Sequence, residues 1–386
     1  MKYQIMVGTL SPLALPQDRS VMNYRGSNDY IPGSIWRGSL AGWYLRETGA
    51  PEDQFFKSVF LNEGGSFGPL YPVRRASYSR SIPLTAFACK RTPGFKTSGE
   101  GHGVADFLLA LAGQEMGKPA ELDRMEFCPV CQTEVRQPIT GFMEFIDERI
   151  CHRVSVSKRM ITRTSVNNRT GTYEEGTLHS FEVVNEGQCF AGVIEVSAEW
   201  SDEFKKIFLK QGLEFQIGRG KSRGLGTVRM QTATQFTPKN DLPDRLQGLN
   251  TALQKSGWAD VKAIYFTITL ETEALIKDLF FRPMSSLQPD FLEQKMNLPE
   301  QSITFVKQVF DSKLISGWNY VQGLPREDAV AITRGSVFLY RVVNVSKDDL
   351  ALKLQRLENE GIGYRRAEGF GRLIVCDRFH WEGGER

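Results

Sequence analysis

Ile217-Gly218-Arg219-Gly220-Lys221-Ser222-Arg223-Gly224-Leu225-Gly226 is a glycine-and-arginine loop with a counterpart near the end of the chain, Gly361-Ile362-Gly363-Tyr364-Arg365-Arg366-Ala367-Glu368-Gly369-Phe370-Gly371-Arg372. Each loop follows a segment with the spacing of an amphipathic helix and runs into an apolar, strand-like tail. Glycine admits φ > 0 and lets a backbone approach a ligand closely. Interleaved arginines supply donors matched to phosphate oxygens. Two such loops in matching positions point to a duplicated domain that handles a phosphate backbone. Their placement excludes two nucleotide-binding readings. A dinucleotide fingerprint follows a first strand and opens a helix, whereas these loops follow a helix and precede a final strand. Gly220-Lys221-Ser222 lacks the upstream glycine of a Walker A loop.

Working outward, Tyr3–Leu10 alternates as a strand, and Ser34 is a candidate N-cap for a helix that stops at Gly49. Residues 50–148 are irregular and rich in Gly and Pro, which marks them as an insertion. Strand signals return at Arg153–Val156, Gly176–Val184 and Gly192–Ala198, the last two spaced as a hairpin around Asn185-Glu186-Gly187. A helix over Asp202–Lys210, the first loop and the strand Thr227–Thr234 complete this half. Without the insertion the order is strand, helix, strand, strand, helix, strand, the ferredoxin-like βαββαβ arrangement of an α+β protein. The second half repeats it in outline. Strands are expected at Ala263–Glu271 and Ser336–Asn344, a first helix lies within Pro289–Phe310, and Ser346 with Asp349 caps a helix over Asp348–Glu360. The expected domains are 1–236, a helical linker at 237–260, and 261–386.

The 386 residues are ordinary in apolar and charged content, and the net charge of +3 is too small to be diagnostic. The distribution says more. From Gly64 to Gly99 the chain carries Arg74, Arg75, Arg80, Lys90, Arg91 and Lys96 with no acid, and from Arg149 to Tyr173 it carries Arg149, Arg153, Lys158, Arg159, Arg163 and Arg169 with no acid. Such segregation builds a local positive surface on a nearly neutral protein, as nucleic-acid binding requires. No stretch approaches eighteen apolar residues, and the N-terminus lacks the apolar core of a signal peptide. The expected location is cytoplasmic, with no membrane partner.

Cys128-Pro129-Val130-Cys131 is a CxxC knuckle, the commonest half of a structural zinc site. Cys89 and His102 are the candidate third and fourth ligands, giving a Cys₃His site that pins the insertion. Cys151-His152 is a competing pair. At the first helix, backbone N–H groups joined by Arg37 could hold a phosphate, though a plain helix start serves equally. No nucleophile–base pair is evident among the four histidines. Asp29 and His152 are the candidates for cutting RNA, and His179 reads as structural.

Tyr30-Ile31-Pro32-Gly33-Ser34 with Arg37-Gly38, followed by the two glycine loops, resembles the RAMP superfamily of CRISPR systems. Pro83-Leu84-Thr85-Ala86 leading to Cys89-Lys90, then His102-Gly103-Val104-Ala105-Asp106 and the CxxC knuckle, is similar to the RAMP protein of type III-D effectors. The resemblance implies two RRM-like domains in a subunit of an RNA-guided interference complex that targets RNA. It implies a role holding the five-prime handle of the guide RNA, with the large polymerase-like subunit and backbone RAMP subunits as protein partners. Such subunits usually bind without cutting. Phosphates would then meet Arg37, Arg219, Lys221, Arg223, Arg365 and Arg366. Gly218, Gly220, Gly224 and Gly369, with Ser222, would permit close approach. Tyr364 and Phe370 are candidates for base stacking, and Phe370 serves equally as a core anchor. A metal-independent endoribonuclease acting on precursor guide RNA or target RNA is the alternative.

Overall fold

Tyr3, Ile5 and Val7 alternate with less buried neighbours along the strand Lys2–Thr9, which is the period-two pattern of a strand with one face in a core. This strand pairs antiparallel with Cys189–Val196 on one side and Thr227–Phe236 on the other, where the register shifts between Met6 and Val7. Glu214–Gln216 extends the sheet beyond Thr227–Phe236, and Gly65–Phe67 and Tyr71–Val73 extend it beyond Cys189–Val196. The expected second strand, Gly176–Val184, is not in this sheet. Gly65–Phe67 and Tyr71–Val73, from the segment expected to be an irregular insertion, take its place. With them as second, the order across the sheet is fourth, first, third, second. Helices Gly33–Thr48 and Ser201–Phe208 bury Trp36, Leu40, Tyr44, Phe204 and Phe208 in the same apolar cluster as Tyr3, Ile5 and Val7. Gly49, at φ 64°, ends the first helix in a left-handed cap.

The protein is a mixed α+β chain with several sheets. This computed structural model describes all residues except 18–23, 76–77, 97–98, 100, 118–124, 133–134, 146–150, 166–168, 173–176, 320–322 and 383–386. Residues group into two compact units. One comprises Met1–Ser79, Val154–Thr237 and Ala367–Gly369, and the other comprises Arg80–Arg153, Pro238–Arg366 and Phe370–Arg386.

In the second unit the sheet runs Ile303–Val309, Val337–Val342, Ile264–Leu270, Leu373–Val375, again second, third, first, fourth. Its first helix is Pro289–Met296. Its second, Lys347–Glu360, has Ser346 as N-cap, whose side chain accepts from the Asp349 N–H at 3.3 Å. Residues 80–153 group with this unit, not with residues 1–79 as the sequence order had suggested. The reason is a buried polar lock. Asp106 accepts from Thr85 at 2.6 Å and pairs with His380 at 2.9 Å, while Arg80 and Asp377 form a two-pronged buried ion pair. Helix Leu242–Ser256 likewise is no free linker, because Leu242, Leu246, Leu249 and Leu253 are all buried in the second unit's core.

Two local expectations are corrected. Helix Gly33–Thr48 begins at Gly33 with Pro32 as N-cap, so Ser34 lies inside the first turn. His179–Val184 does not form a hairpin with the strand after Asn185. It pairs with Lys158–Arg163, and a two-residue strand, Tyr24–Arg25, lies parallel on its other side. Cys189–Val196 is instead drawn to the central strand Lys2–Thr9, where its apolar face is buried.

Candidate nucleic-acid interface and metal centre

The first glycine loop is held by its backbone. The Gly226 N–H donates to the Pro12 carbonyl at 2.9 Å, Ile217 N–H to Gly226 at 2.8 Å, and Arg219 N–H to Ala14 at 3.1 Å. Gly218, Gly220, Gly224 and Gly226 all have positive φ, and Lys221–Arg223 forms a single 3₁₀ turn. A Cβ at Gly218 would overlap the Ala14 carbonyl oxygen, and one at Gly226 the Ile217 oxygen, so glycine is required at both.

The second loop repeats this device. Gly371 N–H donates to Glu273 at 2.7 Å, Ile362 N–H to Gly371 at 2.9 Å, and Tyr364 N–H to Leu275 at 3.0 Å. Gly363, Arg365, Gly369 and Gly371 take positive φ, and Arg366–Glu368 forms the 3₁₀ turn.

The side chains of the two loops differ. In the first, Arg219, Lys221, Ser222 and Arg223 are exposed. The Lys221 amine is held below the usual lysine range by partial desolvation and then by the charge of Arg46, so an anion here would relieve the local positive potential. In the second, the Arg365 guanidinium lies 4.9 Å over the Phe370 ring, and Arg366 donates to the Glu360 carbonyl. Tyr364 carries Lys277 over its ring at 5.0 Å. Tyr364 and Phe370 both pack on Leu275, Ile315, Ala329 and Ala331, which makes Phe370 a core anchor. Gly369, grouped with the first unit, leaves no room for a Cβ against the Phe67 carbonyl. Arg37 does not extend from its helix start, because it donates to the Phe60 carbonyl.

Beside the first loop lies a groove of about 410 Å³, lined by Arg219, Gly220 and Arg223 of the loop and by Arg25, Arg163 and Phe181 of the three-stranded sheet. His179 and Glu182 also face it. No ion pair ties Arg25, Arg219 or Arg223 among the described residues. Arg163 lies 5.4 Å over Phe181, and the rings of His179 and Phe181 are near-parallel at 6.2 Å. The Glu182 carboxyl is lowered from its ordinary value, since bonds from the Ser27 N–H and the charge of Lys158 outweigh burial, which raises it. The basic stretch from Arg149 thus reaches the loop through Arg163, while Arg149 and Tyr173 lie outside the described residues. Sequence reasoning missed Arg25, His179 and Phe181. Strand alternation alone carried their signal. Asp29 pairs with Lys158, and His152 is buried.

In the second unit, one ligand atom each from Cys89, His102, Cys128 and Cys131 lies within 4.8 Å of every other. Cys89 Sγ and Cys131 Sγ are 3.7 Å apart, and His102 Nδ1 is 3.8 Å from Cys128 Sγ and 3.1 Å from Cys131 Sγ. Gln132, at φ 62°, closes the knuckle by donating to the Cys128 carbonyl at 2.7 Å. Burial would raise the Cys89 thiol, but N–H groups of Thr92 and Arg91, then His102 and Cys128, lower it to about 7. Burial and the neighbouring Cys89 and Cys128 push Cys131 up to about 11. Crowded thiols of this kind can hold a metal ion. Cys151 is not among them and lies in a separate apolar cluster with Ile82 and Phe379.

No helix among the described residues is long and apolar enough to cross a membrane. The family model of the RAMP superfamily matches residues 9–229. A search of curated proteins found no match. Among solved structures, a chain in a cryo-EM structure of the type III-B Cmr-beta bound to cognate target RNA and AMPPnP is 12% identical. The match covers 92% of this chain and 90% of that one at a TM-score of 0.40. The crystal structure of Pyrococcus furiosus Cmr4 (Cas7) is 14% identical over 61% of this chain and 100% of that one, at 0.28. A Cas6 product complex is 13% identical over 50% and 80%, at 0.32.

Proposed function

The chain belongs to the RAMP superfamily of CRISPR-associated proteins, and from that premise we propose that it is an RNA-binding subunit of a type III RNA-guided interference complex. It holds the five-prime handle of the guide RNA and caps the backbone of the complex. The observation that carries this is the groove beside the first loop, where Arg25, Arg219 and Arg223 stand exposed without ion-pair partners among the described residues. Three such cations close together meet a polyanion at little cost in lost internal pairing. The two sheets, each with the order fourth, first, third, second, support the ferredoxin-like, RRM-like reading of both halves. Guide RNA, target RNA, the large polymerase-like subunit and the backbone RAMP subunits are the partners this role requires.

The Cys89–His102–Cys128–Cys131 set fits zinc. Tetrahedral Zn–S bonds of about 2.3 Å place sulfurs roughly 3.8 Å apart, close to the separations in this cluster. Zinc here would be structural, pinning the loops around short strands that lack a large core.

The test is RNA binding by the purified chain across a salt series. Salt-dependent affinity that falls in an Arg219→Ala/Arg223→Ala variant supports the role. Affinity indifferent to salt and to both arginines removes it. Incubation with repeat RNA in EDTA separates the endoribonuclease alternative, since specific cleavage lost in Asp29→Ala or His152→Ala would establish an enzyme.

A further inference from the structure

We propose that the groove beside the first loop takes one unstacked nucleotide, with its base on the Phe181–His179–Arg163 wall and its phosphates on Arg219, Arg223 and Arg25. This rests on the RNA-binding reading and specifies the form of the ligand. The groove has two chemically distinct sides. Its loop side carries exposed guanidinium groups and a backbone with no side chain at Gly220. Its sheet side carries the flat groups Phe181, His179 and Arg163. Phe181 packs against Val183 and Leu225, and it braces both the His179 ring and the Arg163 guanidinium. The His179 ring is further fixed by its Nδ1, which bonds the Thr177 carbonyl at 3.1 Å, so Nδ1 carries the proton and donates. Flat, braced groups in one groove with the exposed cations Arg219, Arg223 and Arg25 suit an aromatic group joined to an anion, which is the chemistry of a nucleotide.

Size agrees. The volume of about 410 Å³ exceeds what a lone phosphate fills and lies in the range of single small-molecule sites. A base within a duplex presents neither face, so the strand that enters is single-stranded at this point.

The experiment compares the full chain's affinity for a short oligoadenylate, about ten nucleotides, with that for an abasic ribose-phosphate oligomer of equal length. A 2-aminopurine placed in turn at each position reports stacking by its fluorescence. The expected result is about tenfold tighter binding of the oligoadenylate, with quenching confined to one position. His179→Ala, an exposed substitution, should abolish that quenching. Equal affinity for both oligomers, or quenching unchanged in His179→Ala, overturns the nucleotide pocket while leaving phosphate binding intact. Absence of salt-dependent binding to either oligomer removes the RNA-binding reading itself.

Discussion

Arg365 holds, at φ 59°, the left-handed backbone position that Gly220 fills at φ 75° in the matching loop. From Ile217 and Ile362 onward the two loops share three framing backbone hydrogen bonds, a 3₁₀ turn and the other three positive-φ positions, so one backbone device is built twice with different side chains. A left-handed residue bearing a Cβ costs roughly 1–2 kcal/mol, and the Arg365 contact with Phe370 offsets part of this. Arg365→Gly should therefore shift unfolding free energy by less than about 1 kcal/mol, whereas arginine at an ordinary helical position would be replaced by glycine only at a loss. A denaturant titration decides the matter.

Within the first loop, glycine is needed for different reasons at different positions. Gly218→Ala drives a methyl into the Ala14 carbonyl and should cost more than about 2 kcal/mol, with backbone displacement added to the φ penalty. Gly224, at φ 79°, has open space around it and should cost only about 1 kcal/mol on the same change. Equal losses in thermal unfolding would show that conformation alone sets the requirement.

The charges of the two loops should separate in RNA binding. Arg219→Ala/Arg223→Ala removes two exposed cations and should reduce the slope of log affinity against log salt by about 1.4. Arg365→Ala/Arg366→Ala should change it less, because those guanidinium groups already lie on Phe370 and the Glu360 carbonyl. A larger slope change for the second pair would reverse this ranking.

Zinc should bind at about one equivalent per chain, and Cys128→Ser should abolish it, as measured by elemental analysis after gel filtration. Removal by a chelator should lower the melting temperature by about 2–4 °C for each kcal/mol of binding energy lost. Cys189→Ser should retain the metal, since Cys189 lies in a strand beside Gln231 and outside the cluster.

Buried Asp377 carries a pH signature. Burial alone would raise its carboxyl, but Arg80 and then His380 hold it down to about 2. This is below the unfolded value of about 3.9, so the pair's contribution, on the order of 2 kcal/mol, is complete above about pH 4 and is lost as pH falls towards 2. Asp377→Asn should cost about 3–5 kcal/mol near neutrality by leaving Arg80 buried without its counter-charge. The stability difference between the two proteins should shrink as pH drops from 4 towards 2. Parallel curves would mean that the carboxylate charge is not what stabilises the fold there.

Much of the protein is legible in the chain itself. The glycine loops, the Ser346 cap and the Cys128–Cys131 knuckle all depend on near neighbours: backbone freedom at glycine, a hydroxyl at a helix start, thiols at knuckle spacing. Tertiary structure decided what depends on distant partners. It chose Lys158–Arg163 over Cys189–Val196 as the mate of His179–Val184, because the central strand Lys2–Thr9 claimed the other apolar face. It drew residues 80–153 to the second unit through Asp106–His380 and Arg80–Asp377. It also left the first loop's arginines exposed while engaging those of the second. Local spacing records which groups a chain carries, but whether a charge is neutralised or offered to a ligand is settled only by what folding brings beside it.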